Sequence, residues 1–152
     1  MAGGGIIIRS EAFNEHDLMP ERFSRDGGNV SPPLEWQDVP ESTAELVLLV
    51  EDRDAGRLPF LHWLVTGIDP ACTGMAEGEV PAGGREWLNG FGAPGWGGPR
   101  PPRNDDPHRY FFRLYALRQP LALKRTPQVP EVHEAVADVE IGSANMVATF
   151  AR

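Results

Sequence analysis

The sequence predicts a mainly β fold with one short helix near the C-terminus and long Gly/Pro-rich loops. Three observations carry this reading. Apolar runs of strand length recur along the 152 residues, separated by turn-forming residues. Only one stretch shows the 3.6-residue period of an amphipathic helix. The 17 glycines and 15 prolines fall in short clusters between apolar runs rather than in a repeat, which marks turns and ordered loops.

In chain order, Ile6–Arg9 is a short β-branched run, and Glu45–Glu51 is a continuous apolar run bounded by charge. Leu61–Ile68 and Arg109–Leu117 follow, and Met146–Phe150 is the last. In Arg109–Leu117 the even positions Tyr110, Phe112, Leu114 and Ala116 are apolar while Arg109 and Arg113 share the other face, the alternation of a half-buried strand. The predicted helix opens with Pro130 at its first position and Glu131 and Glu134 in its first turn. Val132, Ala135, Val136 and Val139 then fall at i, i+3, i+4 and i+7, with Gly142 as the stop. The stretch 70–103 has little periodicity, and a loop of that length inside a domain usually carries function. No repeat or linker divides the chain, so residues 1–152 read as a single domain.

Composition narrows the function. Apolar residues make up 41% and charged residues 24%, which suits a globular domain with a core of its own. A net charge of −8 argues against a nucleic-acid partner. Arg100, Arg103, Arg109 and Arg113 lie near one another in sequence, with Arg103 and Arg113 expected to be solvated. Cys72, the single cysteine, has no partner for an internal disulfide and reads as a small buried hydrophobe. Met1–Gly5 lacks a basic leader region, and no run approaches the 18 or more apolar residues of a membrane span, so a cytoplasmic protein is expected.

Four groups of residues are chemically suggestive. Gly90–Gly95 matches G-x-G-x-x-G, but Pro94 interrupts it and no helix follows, so no dinucleotide cofactor is expected. Asp52 and Asp54 point the same way on an extended chain, where two carboxylates repel and one pKa rises. His62 and His108 each begin an apolar strand after a Gly/Pro loop and could donate to an anion when protonated. A metal is the weaker alternative, because the spacing is not that of a zinc site. His16 and His133 lie in polar surroundings and are expected to face solvent.

Read together, these segments resemble the phosphatidylethanolamine-binding protein family, particularly its bacterial, Raf kinase inhibitor-like branch. Asp26-Gly27-Gly28-Asn29-Val30-Ser31-Pro32-Pro33-Leu34-Glu35-Trp36 is similar to D-G-x-N-x-S-P-P-L-x-W. Asp52-Arg53-Asp54-Ala55-Gly56 resembles D-P-D-A-P, and His62-Trp63 resembles the H-W that opens a central strand. Asn89-Gly90-Phe91-Gly92 through Gly97-Gly98-Pro99-Arg100-Pro101-Pro102 is similar to N-x-x-G…Y-G-G-P-C-P-P, and His108-Arg109-Tyr110-Phe111-Phe112 to H-R-Y-x-F. The five segments occur in the family's order over nearly the whole chain.

The resemblance implies an antiparallel β-sandwich with a ligand cavity at one end. It implies binding of phosphate-like head groups, without catalysis, in a pocket of Asp52, Asp54, His62, Gly98, Pro101, Pro102, His108 and Tyr110. A protein kinase or other signalling protein as partner, and a homodimer, are further implications. Arg53 and Gly56 stand where the family has prolines, and Arg25 and Arg100 where it has cysteines; Arg100 would add a charged fork at the mouth, and Trp96 a cavity wall. The alternative is a hydrolase or lyase with His62 or His108 as general base.

Overall fold

Among residues 5–152, which the computed structural model describes, eight strands and one α-helix follow each other in the order β1 (Ile7–Arg9), β2 (Leu34–Gln37), β3 (Glu45–Asp52), β4 (Phe60–Ile68), β5 (Gly74–Met75), β6 (Arg85–Glu86), β7 (His108–Leu117), α1 (Val129–Ala137) and β8 (Glu140–Phe150), with one 3-10 turn at Glu21–Phe23 between β1 and β2. Met1–Gly4, part of the segment read for a leader, lie outside the described residues. One antiparallel sheet has the order β6-β4-β3-β7-β8 and a smaller one the order β1-β2-β5. The mainly β, two-sheet expectation therefore describes the molecule.

Two apolar layers explain the strand sequences. Leu46, Leu48 and Val50 of β3 and Tyr110, Phe112 and Leu114 of β7 pack between the sheets against Ile8, Leu34 and Trp36. Val47 and Leu49 point the other way, with Tyr115 and Leu117, onto Val129, Val132 and Val136 of α1. With both faces of β3 covered, its run has no polar position to alternate with. Each fully buried Leu or Val contributes about 1.5–3 kcal/mol.

The helix differs from expectation at both ends. Val129 precedes Pro130 in it, and the Glu131 carboxylate accepts from the Gln128 N–H, closing the first turn (3.0 Å). It stops at Ala137 rather than near Gly142, and β8 starts at Glu140 rather than Met146. The reason is tertiary. Residues from Glu140 to Phe150 pair with β7 from Leu117 back to His108, and this ladder overrides the weak strand propensity of Gly142-Ser143-Ala144-Asn145.

The expectation of solvated Arg113 and His133 is overturned. Glu51 is fully buried on the helix-facing side of β3 and needs hydrogen-bond partners there. His133 Nε2 donates to its carboxylate (2.6 Å), as do Arg113 Nε and Arg53 Nη1 (both 3.0 Å). Burial alone would raise the Glu51 pKa, but the bonds from His133 and Arg113 outweigh it and hold the carboxyl below its ordinary value. His16 and Arg103 are exposed, and Cys72 is half-buried against the inter-sheet core.

Candidate functional site

The site forms where β3, β4 and β7 end together. Asp52 pairs across the sheet with Tyr110, and His108, two residues earlier on β7, lies on the same face. In β4, Trp63 pairs with Val50 and Leu61 with Glu51, so His62 has no counterpart on β3. This bulge turns Leu61 toward the helix layer and Trp63 toward the inter-sheet core, and it aims His62 into a cavity at the end of the sandwich.

The cavity measures about 360 Å³, within the range of small-molecule sites. Seven of the residues singled out from the sequence line it: Asp52, Asp54, His62, Arg100, Pro101, Pro102 and His108. Tyr110 and Gly98 stand behind the wall. The Tyr110 ring meets His62 edge-on at 5.2 Å, and its buried hydroxyl has no hydrogen-bond partner among the described residues. Burial and the neighbouring Asp52 carboxylate push the Tyr110 pKa far up, so it is a phenol. Sequence reasoning did not single out Phe60, Phe91 or Asp105. Phe60 and Phe91 form an aromatic wall with ring centroids 4.7 Å apart, and the Arg25 guanidinium sits 3.8 Å over Phe91. The one available signal for Asp105 was its place three residues before His108.

The two histidines are perturbed in opposite directions. His108 Nδ1–H donates to Asp52 (2.7 Å) and Nε2–H to Asp105 (2.8 Å). Burial lowers its pKa, but the two carboxylates outweigh that and raise it. His62 lies in a drier place, and desolvation pulls its pKa to about 4 despite the Gly97 carbonyl and Asp52 nearby. Its Nδ1–H donates to that Gly97 carbonyl (2.5 Å), leaving Nε2 with a lone pair. The extended-chain expectation that Asp52 and Asp54 point the same way does not hold. The strand ends at Asp52, whose Oδ1 accepts from the Asp54 N–H in a turn (2.7 Å). Asp54 turns to Arg109, accepting from its backbone N–H (2.8 Å), Nε (3.0 Å) and Nη2 (2.9 Å), which lowers the Asp54 pKa.

The segment 23–29 braces the cavity wall. Gly98 N–H donates to Asn29 Oδ1 (2.7 Å), Arg25 N–H to the Pro99 carbonyl (3.0 Å), and Trp96 Nε1–H to the Phe23 carbonyl (3.0 Å). Trp96 is therefore core, packed against Trp63 and Phe112, and not the cavity wall expected of it. Arg100 Nε pairs with Asp26 (3.1 Å), and Arg152 ties Asp26 to the Pro101 carbonyl. Gly56 adopts φ +131°, a conformation closed to the proline of the resembled motif. Gly90–Gly95 is a loop wound on the Asn89 side chain, which accepts from Phe91 and Ala93 N–H groups and donates to the Gly95 carbonyl.

Chemically, the site can donate to an anion from Arg100, and from His108 Nε2 where the anion displaces Asp105, and can enclose an apolar moiety against Phe60 and Phe91. His108 has both nitrogens committed to carboxylates and no lone pair to act as a base. No cluster of His, Cys, Asp or Glu side chains among the described residues is arranged for a metal ion, and no described helix is long and apolar enough to cross a membrane.

Comparison with known proteins places this geometry. The chain is 41% identical over 147 residues to a Mycobacterium tuberculosis protein named as the lipoprotein LppC, covering 95% of this chain and 72% of that one. It is 37% identical over 150 residues to a UPF0098 protein of Methanothermobacter thermautotrophicus, covering 95% and 98%. The crystal structure of a homologue of phosphatidylethanolamine-binding protein from Chlamydia trachomatis superposes with a TM-score of 0.85 at 31% identity, covering 99% of both chains. Escherichia coli YbcL, described as a member of the mammalian family, gives a TM-score of 0.90 at 25% identity, covering 98% and 99%. With the sequence profile of the family matching residues 9–151, the chain belongs to the phosphatidylethanolamine-binding protein family.

Proposed function

We propose that this protein is a non-catalytic binder whose cavity accepts a small anion, in particular a phosphate-bearing head group. One observation carries the reading: His108 already holds an anionic oxygen at its outer nitrogen, that of Asp105. The Asp105 side chain is 46% exposed and sits on a loop, so a ligand oxygen can replace it, while Asp52 goes on accepting from Nδ1–H and favours the protonated imidazole from behind. Arg100 at the mouth supplies a second cation, its Nη groups not used by Asp26.

The general-base alternative has less support. His108 has both nitrogens engaged by carboxylates, a His62 pKa near 4 makes a weak base, and no serine, threonine or cysteine among the described residues lines the cavity. A protein kinase or other signalling protein as partner and a homodimer belong to the same proposal and rest on the family resemblance; a cytoplasmic location is proposed with them but does not come from that resemblance. The test is an amide NMR titration with phosphate and phosphoethanolamine. Shifts are expected to concentrate at Asp52, His62, Phe91, Arg100, Asp105 and His108. No shifts at millimolar ligand would overturn the proposal.

A further inference from the structure

His62 deserves a role of its own, because the mechanism of anion binding by His108 and Arg100 makes no use of it. It is 3% exposed, it lines the cavity, and the bulge in β4 exists at its position. Its Nδ1–H is committed to the Gly97 carbonyl, so the nitrogen left for the cavity is an acceptor. An anion oxygen placed against that lone pair would be repelled, unless the oxygen carries a hydrogen. The wall around it points the same way. Asp52 from β3, Asp54 from the following turn and Asp105 from the 99–107 loop face the cavity, against His108 from β7 and Arg100, while the Tyr110 phenol stands behind His62. Asp54 is paired with Arg109 and Arg100 with Asp26, and Arg25 lies over Phe91; the remaining Asp52–His108–Asp105 chain sets two carboxylates on one imidazole, which suits a singly charged guest better than a doubly charged one.

We infer that His62 selects the protonation state of the guest: the cavity takes a phosphate monoester as the monoanion, whose P–OH donates to His62 Nε2 while its charged oxygens accept from His108 and Arg100. This inference rests on the proposed anion-binding function and names the form of the ligand that function uses. The depressed pKa of His62 keeps the lone pair available throughout the neutral range. Phosphate monoesters lose their second proton near pH 6, whereas a sulfate monoester is a monoanion of similar shape with no hydrogen to give.

The test is calorimetric titration of the full chain with methyl phosphate and with methyl sulfate between pH 5 and pH 8. Methyl phosphate is expected to bind at least about tenfold more tightly than methyl sulfate at pH 5.5, the scale of one hydrogen bond to a buried acceptor. Its affinity is expected to fall about tenfold per pH unit above the ligand's own pKa, beyond any fall seen with methyl sulfate, which reports titration of the protein alone. Equal binding of the two esters, or an identical pH dependence, overturns the inference and leaves the anion-binding function standing. Absence of binding by both overturns that function and the inference with it. A long-range 1H–15N spectrum of the free protein adds a direct reading: protonation of His62 at Nε2 instead of Nδ1 would also overturn it.

Discussion

Gly98→Ala tests whether segment 23–29 holds the cavity wall. A Cβ at position 98 would lie 2.1 Å from the Phe23 carbonyl oxygen, 2.7 Å from the Ser24 carbonyl carbon and 2.8 Å from the Arg25 nitrogen. All three are backbone atoms, so no side chain can swing aside, and the two segments must separate. Separation breaks or stretches the bonds Gly98–Asn29, Arg25–Pro99 and Trp96–Phe23. At about 1 kcal/mol net for each, the loss is about 2–3 kcal/mol. The reduced entropy of the unfolded chain offsets up to about 1 kcal/mol of it. Urea denaturation should therefore show a net loss of about 2 kcal/mol, and heating a Tm lower by about 4–8 °C for a chain of this size. Gly92→Ala is the control, with φ +86° and no atom within 4 Å of the added methyl, so it carries only the left-handed backbone penalty of about 1 kcal/mol. Gly98→Ala should also weaken phosphate binding, because Arg100 and Pro101 follow directly on the displaced segment. A stability within about 0.5 kcal/mol of wild type, or no lower than that of Gly92→Ala, would refute the reasoning.

Two further substitutions separate the networks on the two faces of β3. Asp105→Asn should free His108 Nε2 for an external anion and raise phosphate affinity at pH 6 up to about fivefold, the ceiling for a half-exposed ion pair. The His108 titration followed by NMR should move down, because burial still lowers it and the Asp105 hydrogen bond and charge no longer raise it; an unmoved titration would count against the contact. Because the folded His108 pKa is raised, its bonds stabilise the fold fully below about pH 6.5 and lose that contribution as pH rises through the folded value. Glu51→Ala should lower stability by about 2–3 kcal/mol by stranding Arg113 and His133 at the sheet–helix junction. The folded Glu51 pKa is depressed, so its contribution is present above about pH 4.3 and fades as pH falls through the folded value. Urea titrations of both proteins should therefore converge in acid; a gap that stays constant down to pH 2 would contradict this.

Legibility in the sequence followed periodicity. β3, β4 and β7 were readable because their apolar patterns run for eight to ten residues, and the alternation of β7 assigned its faces correctly. β5 and β6 have two residues each, too few to show a period. β2 alternates Leu34 and Trp36 with Glu35 and Gln37, but over only four residues, too short a run for the period to stand out from the surrounding Ser-Pro-Pro loop. The misplaced start of β8 and the misread His133 and Arg113 have one cause: their partners lie on other elements. A pairing ladder with β7 and a carboxylate 82 residues away in sequence leave no local trace. The lining of the cavity shows the same split. Asp52, His62 and His108 sit at strand ends, where sequence marks them, whereas Phe91 and Asp105 come from loops whose course is set by tertiary hydrogen bonds.

The adjacent carboxylates Glu51 and Asp52 show how one strand serves two ends. Alternation sends Glu51 to the helix side, where Arg53, Arg113 and His133 donate to its carboxylate, and sends Asp52 to the cavity side, where it accepts from His108 Nδ1–H. A one-residue slip of β3 would exchange them, placing the helix anchor in the cavity and leaving His108 without its inner partner. The register is fixed by eight consecutive pairs with β7, from Glu45–Leu117 to Asp52–Tyr110, so the electrostatics of the cavity are set by the packing of the whole sheet. The bulge at His62 is the one place where β4 departs from regular pairing beside the site, and it gives the cavity a hydrogen-bond acceptor that regular alternation would have aimed elsewhere.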